Sequence, residues 1–292
     1  MKIERLIVDA HAHVVVPELE VEIPPAAVRE FRNISRILEQ QDGAGVDVVV
    51  LCPWVNLLGR EVERQNEALA AVVGDRVAAL GTVDLERPEQ LAELMGDGRL
   101  GGVEIPAAPG GSYLGDERFR DFWAAAEETG AFVFVHPSTR GFALPVMERH
   151  YLWNTVGNLL ETTIAAVDMV GSGVLDEHPG LCVLLAHGGG ALPTLRGRLA
   201  HEQRIHPPGR DVRAAVRGFH VDTVVHDAEV LRGLVDFFGP ERVLLGSDYP
   251  FDMGVERPAE IVRELKLDPE AEAAILGGNA LRLLGRSGVP AA

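Results

Sequence analysis

The chain of 292 residues holds only two cysteines, Cys52 and Cys182, each inside an apolar run, VVVLCPW and GLCVLLAH. Two thiols on separate predicted strands exclude a disulfide framework and read as reduced core residues. Basic residues are also scarce: 27 Lys and Arg stand against 44 Asp and Glu, for a formal net charge of −17. That balance argues against a nucleic-acid partner, which needs clustered Lys and Arg to neutralise phosphates, and against an anionic membrane surface. It leaves room for an anionic small molecule, because charge inside a cleft can oppose the net charge. No run approaches the roughly 20 apolar residues of a membrane span. The amino terminus, MKIERLIVDAHAH, interleaves charges with apolar residues and lacks the apolar stretch of a signal peptide. A cytoplasmic protein is expected. Flavin, nicotinamide and pyridoxal motifs are missing too; the GGG at 188–190 permits close backbone approach but lacks the Lys and Ser/Thr of a phosphate-binding loop.

What the chain does have is a rhythm. Eight short runs rich in Val, Ile and Leu recur: 6–10, 47–52, 77–83, 102–105, 132–136, 182–187, 219–223 and 243–248. Near-continuous apolar strands are what a parallel sheet covered on both faces requires. Amphipathic stretches lie between them. In ERFRDFWAAAEETGA, Phe119, Phe122, Trp123 and Ala126 share one helical face, and AVREFRNISRILEQQDGAG ends in the glycines of a helix stop. The pattern predicts an α/β protein, a closed (β/α)₈ barrel in one domain over 1–292, with an open doubly wound sheet as the competitor. The segment 14–25 is expected to be a loop and GRSGVPAA a frayed tail.

Polar residues fall at the ends of these runs. His11 and His13 form HAH, and residues two apart on a strand face the same side. His136 ends FVFVH, His187 ends CVLLAH and Asp248 ends VLLGSD. Any one of them could be a core residue satisfied by one hydrogen bond. All of them at the carboxyl ends of barrel strands, where barrel enzymes assemble their sites, point to a metal centre.

The run VDAHAH, FVFVHPS, LLAHGGGALP and LLGSDYPF resembles the amidohydrolase-related family of decarboxylases typified by 2-amino-3-carboxymuconate-6-semialdehyde decarboxylase. The likeness runs from about Asp47 to the end and is weaker before Gly43. It implies a distorted amidohydrolase-type barrel. It implies one divalent metal, zinc first and manganese as the other candidate, held by His11, His13, His136 and Asp248. His187 is then the catalytic histidine, with Asp248 or a metal-bound water carrying the proton. Arg198, eleven residues after His187, stands where such decarboxylases reach a neighbouring subunit's substrate, so a homodimer or larger homo-oligomer is expected; the other reading of Arg198 is a solvated helix charge. The insertion after strand 1 that carries a substrate-gripping Arg in the family is short here, and Arg29 or Arg32 are loose stand-ins.

The expected function is a metal-dependent non-oxidative decarboxylase of a small aromatic or unsaturated carboxylic acid. A hydrolase of a lactone, ester or amide, and a non-catalytic metal-binding barrel, are the alternatives. Trp54 and Phe142 are candidate substrate contacts, with Trp153 and Tyr249 as further aromatics near the mouth. Asp222 is expected to orient His187 or a ligand. Glu104 is read as a second-metal ligand or, in preference, as a residue behind the ligands or facing outward. His220 and His226 are read as residues without a direct role.

Overall fold

In the computed structural model, residues 6–16, 31–206 and 211–285 are described. Most of the expected loop at 14–25, Arg29, and the tail after Gly285 lie outside them. Eight parallel strands alternate with helices: β1 (Val8–Val14), α1 (Ile34–Ala44), β2 (Val48–Pro53), α2 (Val62–Ala70), β3 (Val77–Ala79), α3 (Pro88–Asp97), β4 (Gly102–Pro106) and α4 (Arg120–Thr129). Then come β5 (Phe132–His136), α5 (Leu159–Ser172), β6 (Cys182–Leu185), α6 (Leu192–Ile205), β7 (His220–Asp222), α7 (Ala228–Phe238) and β8 (Val243–Leu244). The helix Asn279–Gly285 closes the described chain.

The strands pair in sequence order as β1-β2-β3 and β4-β5-β6-β7-β8. Backbone hydrogen bonds join the two groups at both seams. Gly81 N donates to Gly102 O at 2.9 Å and Glu104 N to Gly81 O at 2.8 Å. On the other side Ala10 N donates to Leu245 O at 2.8 Å, and Asp248 N to His11 O at 2.7 Å. The sheet is therefore a closed barrel, and the open-sheet competitor falls.

Two apolar clusters divide the interior. One fills the lumen with Val8, Ala10, Val50, Cys52, Leu80, Phe132, Phe134 and Leu184, plugged at one end by Ala280, Leu283 and Leu284 of the last helix. The other lies between sheet and helices and takes the alternate strand residues Ala12, Val14, Val49, Leu51, Val133 and Val135. Both cysteines are buried in the lumen cluster. Helix α4 buries Phe122, Trp123 and Ala126, with Phe119 just before it, as their shared face predicts. Asn33 caps α1 by accepting from Arg36 N, and Gly45 ends it at φ 74.

Strand β1 departs from simple alternation. Asp9 pairs with Val49 but Ala12 pairs with Leu51, so Ala10 and His11 together oppose Val50. This one-residue bulge changes the parity of the strand. Val8 and Ala10 face the lumen before it; after it His11 and His13 do, and Ala12 and Val14 turn to the helices. The strand also runs on to Val14, beyond the expected 6–10, so both histidines lie within it.

Among the described residues no helix is long and apolar enough to cross a membrane.

Candidate metal centre

His11 and His13 from β1, His136 from the last position of β5, and Asp248 just after β8 converge at the carboxyl ends of the strands. All four are buried, and one donor atom from each lies within 4.8 Å of the others. Each ring is anchored through Nδ1. His11 Nδ1 meets Asp222 Oδ2 at 2.7 Å, His13 Nδ1 meets the Pro53 carbonyl at 3.1 Å, and His136 Nδ1 meets the Pro137 carbonyl at 2.9 Å. These acceptors assign the ring proton to Nδ1 and turn each Nε2 lone pair inward.

The donor set fits a divalent cation on this geometry. His11 Nε2 and His13 Nε2 are 3.0 Å apart, too close for two facing lone pairs unless a cation or proton lies between them. Asp248 Oδ1 stands 3.2 Å from one and 3.3 Å from the other. His136 Nε2 and Asp248 Oδ1 are buried without a hydrogen-bond partner. Buried polar atoms left in that state are costly, and mixed N and O donors suit zinc or manganese.

The electrostatics divide the three rings. Burial disfavours a charged His11, but the carboxylates of Asp248 and Asp222 outweigh it and raise the ring to about 10. Burial lowers His13, and lowers His136 well below the ordinary histidine range, with neighbouring rings adding to the second effect. Burial would raise Asp248, yet His11, His13 and His187 hold it well below the usual carboxylate range. A carboxylate and neutral imidazoles are the forms that ligate a metal, so Asp248, His13 and His136 stand ready, while His11 must release the proton that the two carboxylates hold on it when a cation takes that proton's place.

His187 follows β6 and sits at φ 56, and Asp248 sits at φ 57. Both are non-glycine residues in the left-handed region, a conformation that costs about 1–3 kcal/mol and recurs at functional sites. His187 Nε2 is 3.4 Å from Asp248 Oδ2, and its side chain is 11% exposed. The two oxygens of Asp248 are thus divided, Oδ1 toward the His11–His13 pair and Oδ2 toward His187. The glycines after His187 bear out their expected role: a Cβ on Gly190 would lie 2.1 Å from the Leu159 carbonyl oxygen.

Asp222 does more than expected. Its Oδ2 accepts from His11 Nδ1 and from His187 N at 3.0 Å; its Oδ1 accepts from Gly188 N at 2.8 Å and Val224 N at 3.1 Å. One buried carboxylate ties a candidate ligand to the turn that carries His187. Glu104 does not face outward: it is fully buried, 3.8 Å from His13 Nδ1, with both oxygens free of hydrogen bonds, and it stands outside the four converging groups. Burial pushes its carboxyl well up.

Two supporting residues went unread in the sequence. Asp9, buried on the helix side of β1, accepts from Ser247 N at 3.0 Å, His11 N at 3.1 Å and Gln41 Nε2 at 2.7 Å. Glu161, buried on α5, accepts from Ser138 N at 2.8 Å and Thr139 N at 2.9 Å and so clamps the loop after His136. Asp9, two residues before His11, was the available signal for the first; the sequence carries none for the second.

The expected substrate contacts divide. Trp54 is buried in an aromatic group, stacked on Phe31 with 4.7 Å between centroids; Phe251 in turn lies 5.0 Å from His13. Phe142 lies half-buried in the loop after β5, and no ring contact joins it to the histidines among the described residues. Arg198 is exposed on α6, where the described residues offer it no ion pair. Trp153 packs under Arg140 at 4.2 Å, away from the histidine rings.

The amidohydrolase family model matches residues 8–286. This chain belongs to the amidohydrolase family. The amidohydrolase is 33% identical over 234 residues to 2-amino-3-carboxymuconate-6-semialdehyde decarboxylase of Dictyostelium discoideum, covering 75% of this chain and 65% of that protein. It is 32% identical over 185 residues to 6-methylsalicylic acid decarboxylase of Penicillium expansum, covering 61% and 57%. The matched region therefore spans less than two thirds of the length of either relative. Among solved structures, 5-carboxyvanillate decarboxylase of Novosphingobium aromaticivorans, complexed with manganese and 4-hydroxy-3-methoxy-5-nitrobenzoic acid, superposes with a TM-score of 0.84 at 18% identity, covering 97% of each chain. That likeness establishes the barrel fold.

Proposed function

We propose that this amidohydrolase is a metal-dependent, non-oxidative decarboxylase of a small aromatic or unsaturated carboxylic acid. The observation that carries the reading is the division of Asp248, one oxygen toward the cluster and the other 3.4 Å from His187 Nε2. His11, His13, His136 and Asp248 would hold the metal, zinc or manganese. Such an ion supplies Lewis-acid polarisation and orientation of an anionic substrate. The named activities of the two relatives, both decarboxylases, support the same reaction class.

The chain's own groups then divide the work. Asp222 holds the Nδ1 proton of His11 and keeps its Nε2 free to bind. His187, partly open to solvent, takes a proton from water at Nε2 and exchanges it with Asp248 Oδ2. That proton is delivered to the ring or alkene carbon; the electron pair of the bond to the carboxylate stays on that carbon and forms the new C–H bond as CO₂ leaves. Phe134 and the aromatic group around Trp54 and Phe251 surround the rings and exclude water. A substrate role for Arg198 requires a second copy of the chain, and sedimentation showing only a monomer removes it.

The test is metal content by plasma emission spectrometry together with CO₂ release over a panel of aromatic and dienoic acids. About one Zn or Mn per chain, lost in His11→Ala/His13→Ala, and CO₂ release lowered about 10²–10⁴-fold in His187→Asn with metal retained, is the expected result. Turnover of lactones, esters or amides in place of acids would make the protein a hydrolase on the same groups. A metal-loaded protein inert toward the whole panel refutes both.

A further inference from the structure

One carboxylate next to the metal centre has no part in the chemistry set out above. Asp9 is fully buried, two residues before His11, and its side chain meets Gln41 of α1 outside the barrel wall. A buried carboxylate is costly unless its oxygens are satisfied. Four donors converge on this one. Oδ1 accepts from His11 N at 3.1 Å and Ser247 N at 3.0 Å; Oδ2 accepts from Gln41 Nε2 at 2.7 Å and from the Ser247 hydroxyl.

These contacts fall on the two backbone irregularities that build the site. A bulge leaves its extra residue out of the strand ladder. Asp9 takes the N–H of His11 inside the β1 bulge, where Ala10 and His11 together oppose Val50. A side chain that accepts from the N–H two residues on is the local bond by which Asp favours an irregular backbone over a regular one. The second irregularity is Asp248, at φ 57. Its neighbours on both sides hang on Asp9. Ser247 donates its N–H and its hydroxyl to the carboxylate, and the same hydroxyl accepts from Tyr249 N at 3.1 Å. Asp9 thus grips β1 at His11 and the turn after β8 at Ser247. Between the two grips stand the separations of Asp248 Oδ1 from His11 Nε2, 3.2 Å, and from His13 Nε2, 3.3 Å.

We propose that Asp9 is a positioning residue for the metal centre: by bridging the β1 bulge to the Ser247 turn, it fixes the distance between the β1 histidines and Asp248, and with it the coordination geometry. The proposal rests on the set of four donors and not on the reaction they perform. The role belongs to the shape of the bridge and not to its charge. In Asp9→Asn the side-chain oxygen keeps the two N–H groups, and the NH₂ meets Gln41, whose Oε1 is buried without a partner and accepts once that amide flips. The Ser247 hydroxyl can turn its proton to the His11 carbonyl, 3.4 Å away. In Asp9→Ala all four donors lose this acceptor, and both irregularities lose their hold.

Chelator-treated wild type, Asp9→Asn, Asp9→Ala, Ser247→Ala and a control in the core face of α4, Phe122→Leu, would be compared in three measurements. These are urea denaturation, competition titration of Zn²⁺ and Mn²⁺ against a metal indicator, and the visible spectrum of Co²⁺-substituted protein, whose band intensity reports coordination number. Metal affinity should fall about 10- to 100-fold in Asp9→Ala and by less in Ser247→Ala, each with an altered cobalt spectrum. Asp9→Asn should keep the wild-type affinity and spectrum. Phe122→Leu should lower the urea midpoint and leave both metal readouts alone, which separates positioning from general stability. Wild-type affinity and spectrum in Asp9→Ala and Ser247→Ala, a loss no greater than that of Phe122→Leu, or Asp9→Asn as impaired as Asp9→Ala overturns the proposal. If Asp9→Ala does not fold, Ser247→Ala decides. Wild type that takes up no metal sinks the metal centre and the role of Asp9 together; metal held equally by every variant sinks the role of Asp9 alone.

Discussion

Replacing Asp222 by Asn removes one charge and almost no volume, yet the structure leaves the amide no satisfactory orientation. With its oxygen in the place of Oδ2 it keeps the proton of His11 Nδ1 and the N–H of His187, and its NH₂ then faces the N–H groups of Gly188 and Val224. Flipped, it keeps the second pair and loses the first. Two buried donors are unpaired either way, at about 1–3 kcal/mol each, so the variant should lose about 2–6 kcal/mol of stability. At roughly 2 °C per kcal/mol for a chain of this size, the thermal midpoint should fall by several degrees. In the flipped form His11 must also accept at Nδ1, which moves its proton to Nε2 and spoils it as a ligand, and metal affinity should drop about 10- to 100-fold. Urea denaturation of chelator-treated protein and competition titration with a metal indicator measure the two effects separately. The pH dependence has a definite sign. Burial alone would raise the Asp222 carboxyl, but His11, His187 and the backbone of Gly188 hold it below the ordinary range. Its contribution is therefore present above the unfolded carboxylate value, near pH 4, and is lost as pH falls toward the depressed folded value. The gap between wild type and variant should narrow below pH 4. An Asp222→Asn protein with unchanged urea midpoint and unchanged metal affinity would refute the reasoning.

Two further outcomes follow from the same geometry. Glu161→Gln puts an NH₂ among the donors of Ser138 and Thr139, and should cost about 1–3 kcal/mol in urea unfolding while loosening the loop after His136; equal midpoints would show that the clamp is idle. Gly190→Ala forces a Cβ against the Leu159 carbonyl at a φ of 63, so a protein that stays soluble with its thermal midpoint intact would contradict the packing described there.

Much of this could be read before any coordinates. His136, His187 and Asp248 stand out because each interrupts a long apolar run where a parallel strand ends, and a closed parallel barrel has a single face to which such ends can point. Helix α4 was equally plain, since Phe119, Phe122, Trp123 and Ala126 repeat at helical spacing. Other residues depended on what lies across from them. Glu161 stands in the first turn of α5, where an acidic residue is ordinary helix chemistry, and only the fold brings it to Ser138 and Thr139. Glu104 faces the lumen because of the register of β4 with β5, which four letters of strand do not disclose. Arg198 marks the reverse case: a motif offset named it, and within one chain it stands exposed on a helix.

The extra residue in β1 has a consequence for how this site can be copied. The letters His-Ala-His do not by themselves present imidazoles to the centre of a barrel. With Val8 facing the lumen, uninterrupted alternation would send Ala10, Ala12 and Val14 inward and both histidines out among the helices. The metal centre thus depends on a count of backbone units as much as on side-chain identity. Deleting Ala10 alone would set His11 two places after Val8, so that plain alternation would again carry both histidines inward, whereas a transplant of the run from Val8 to His13 into another barrel, with Val8 held inward, would work only if the bulge travelled with it.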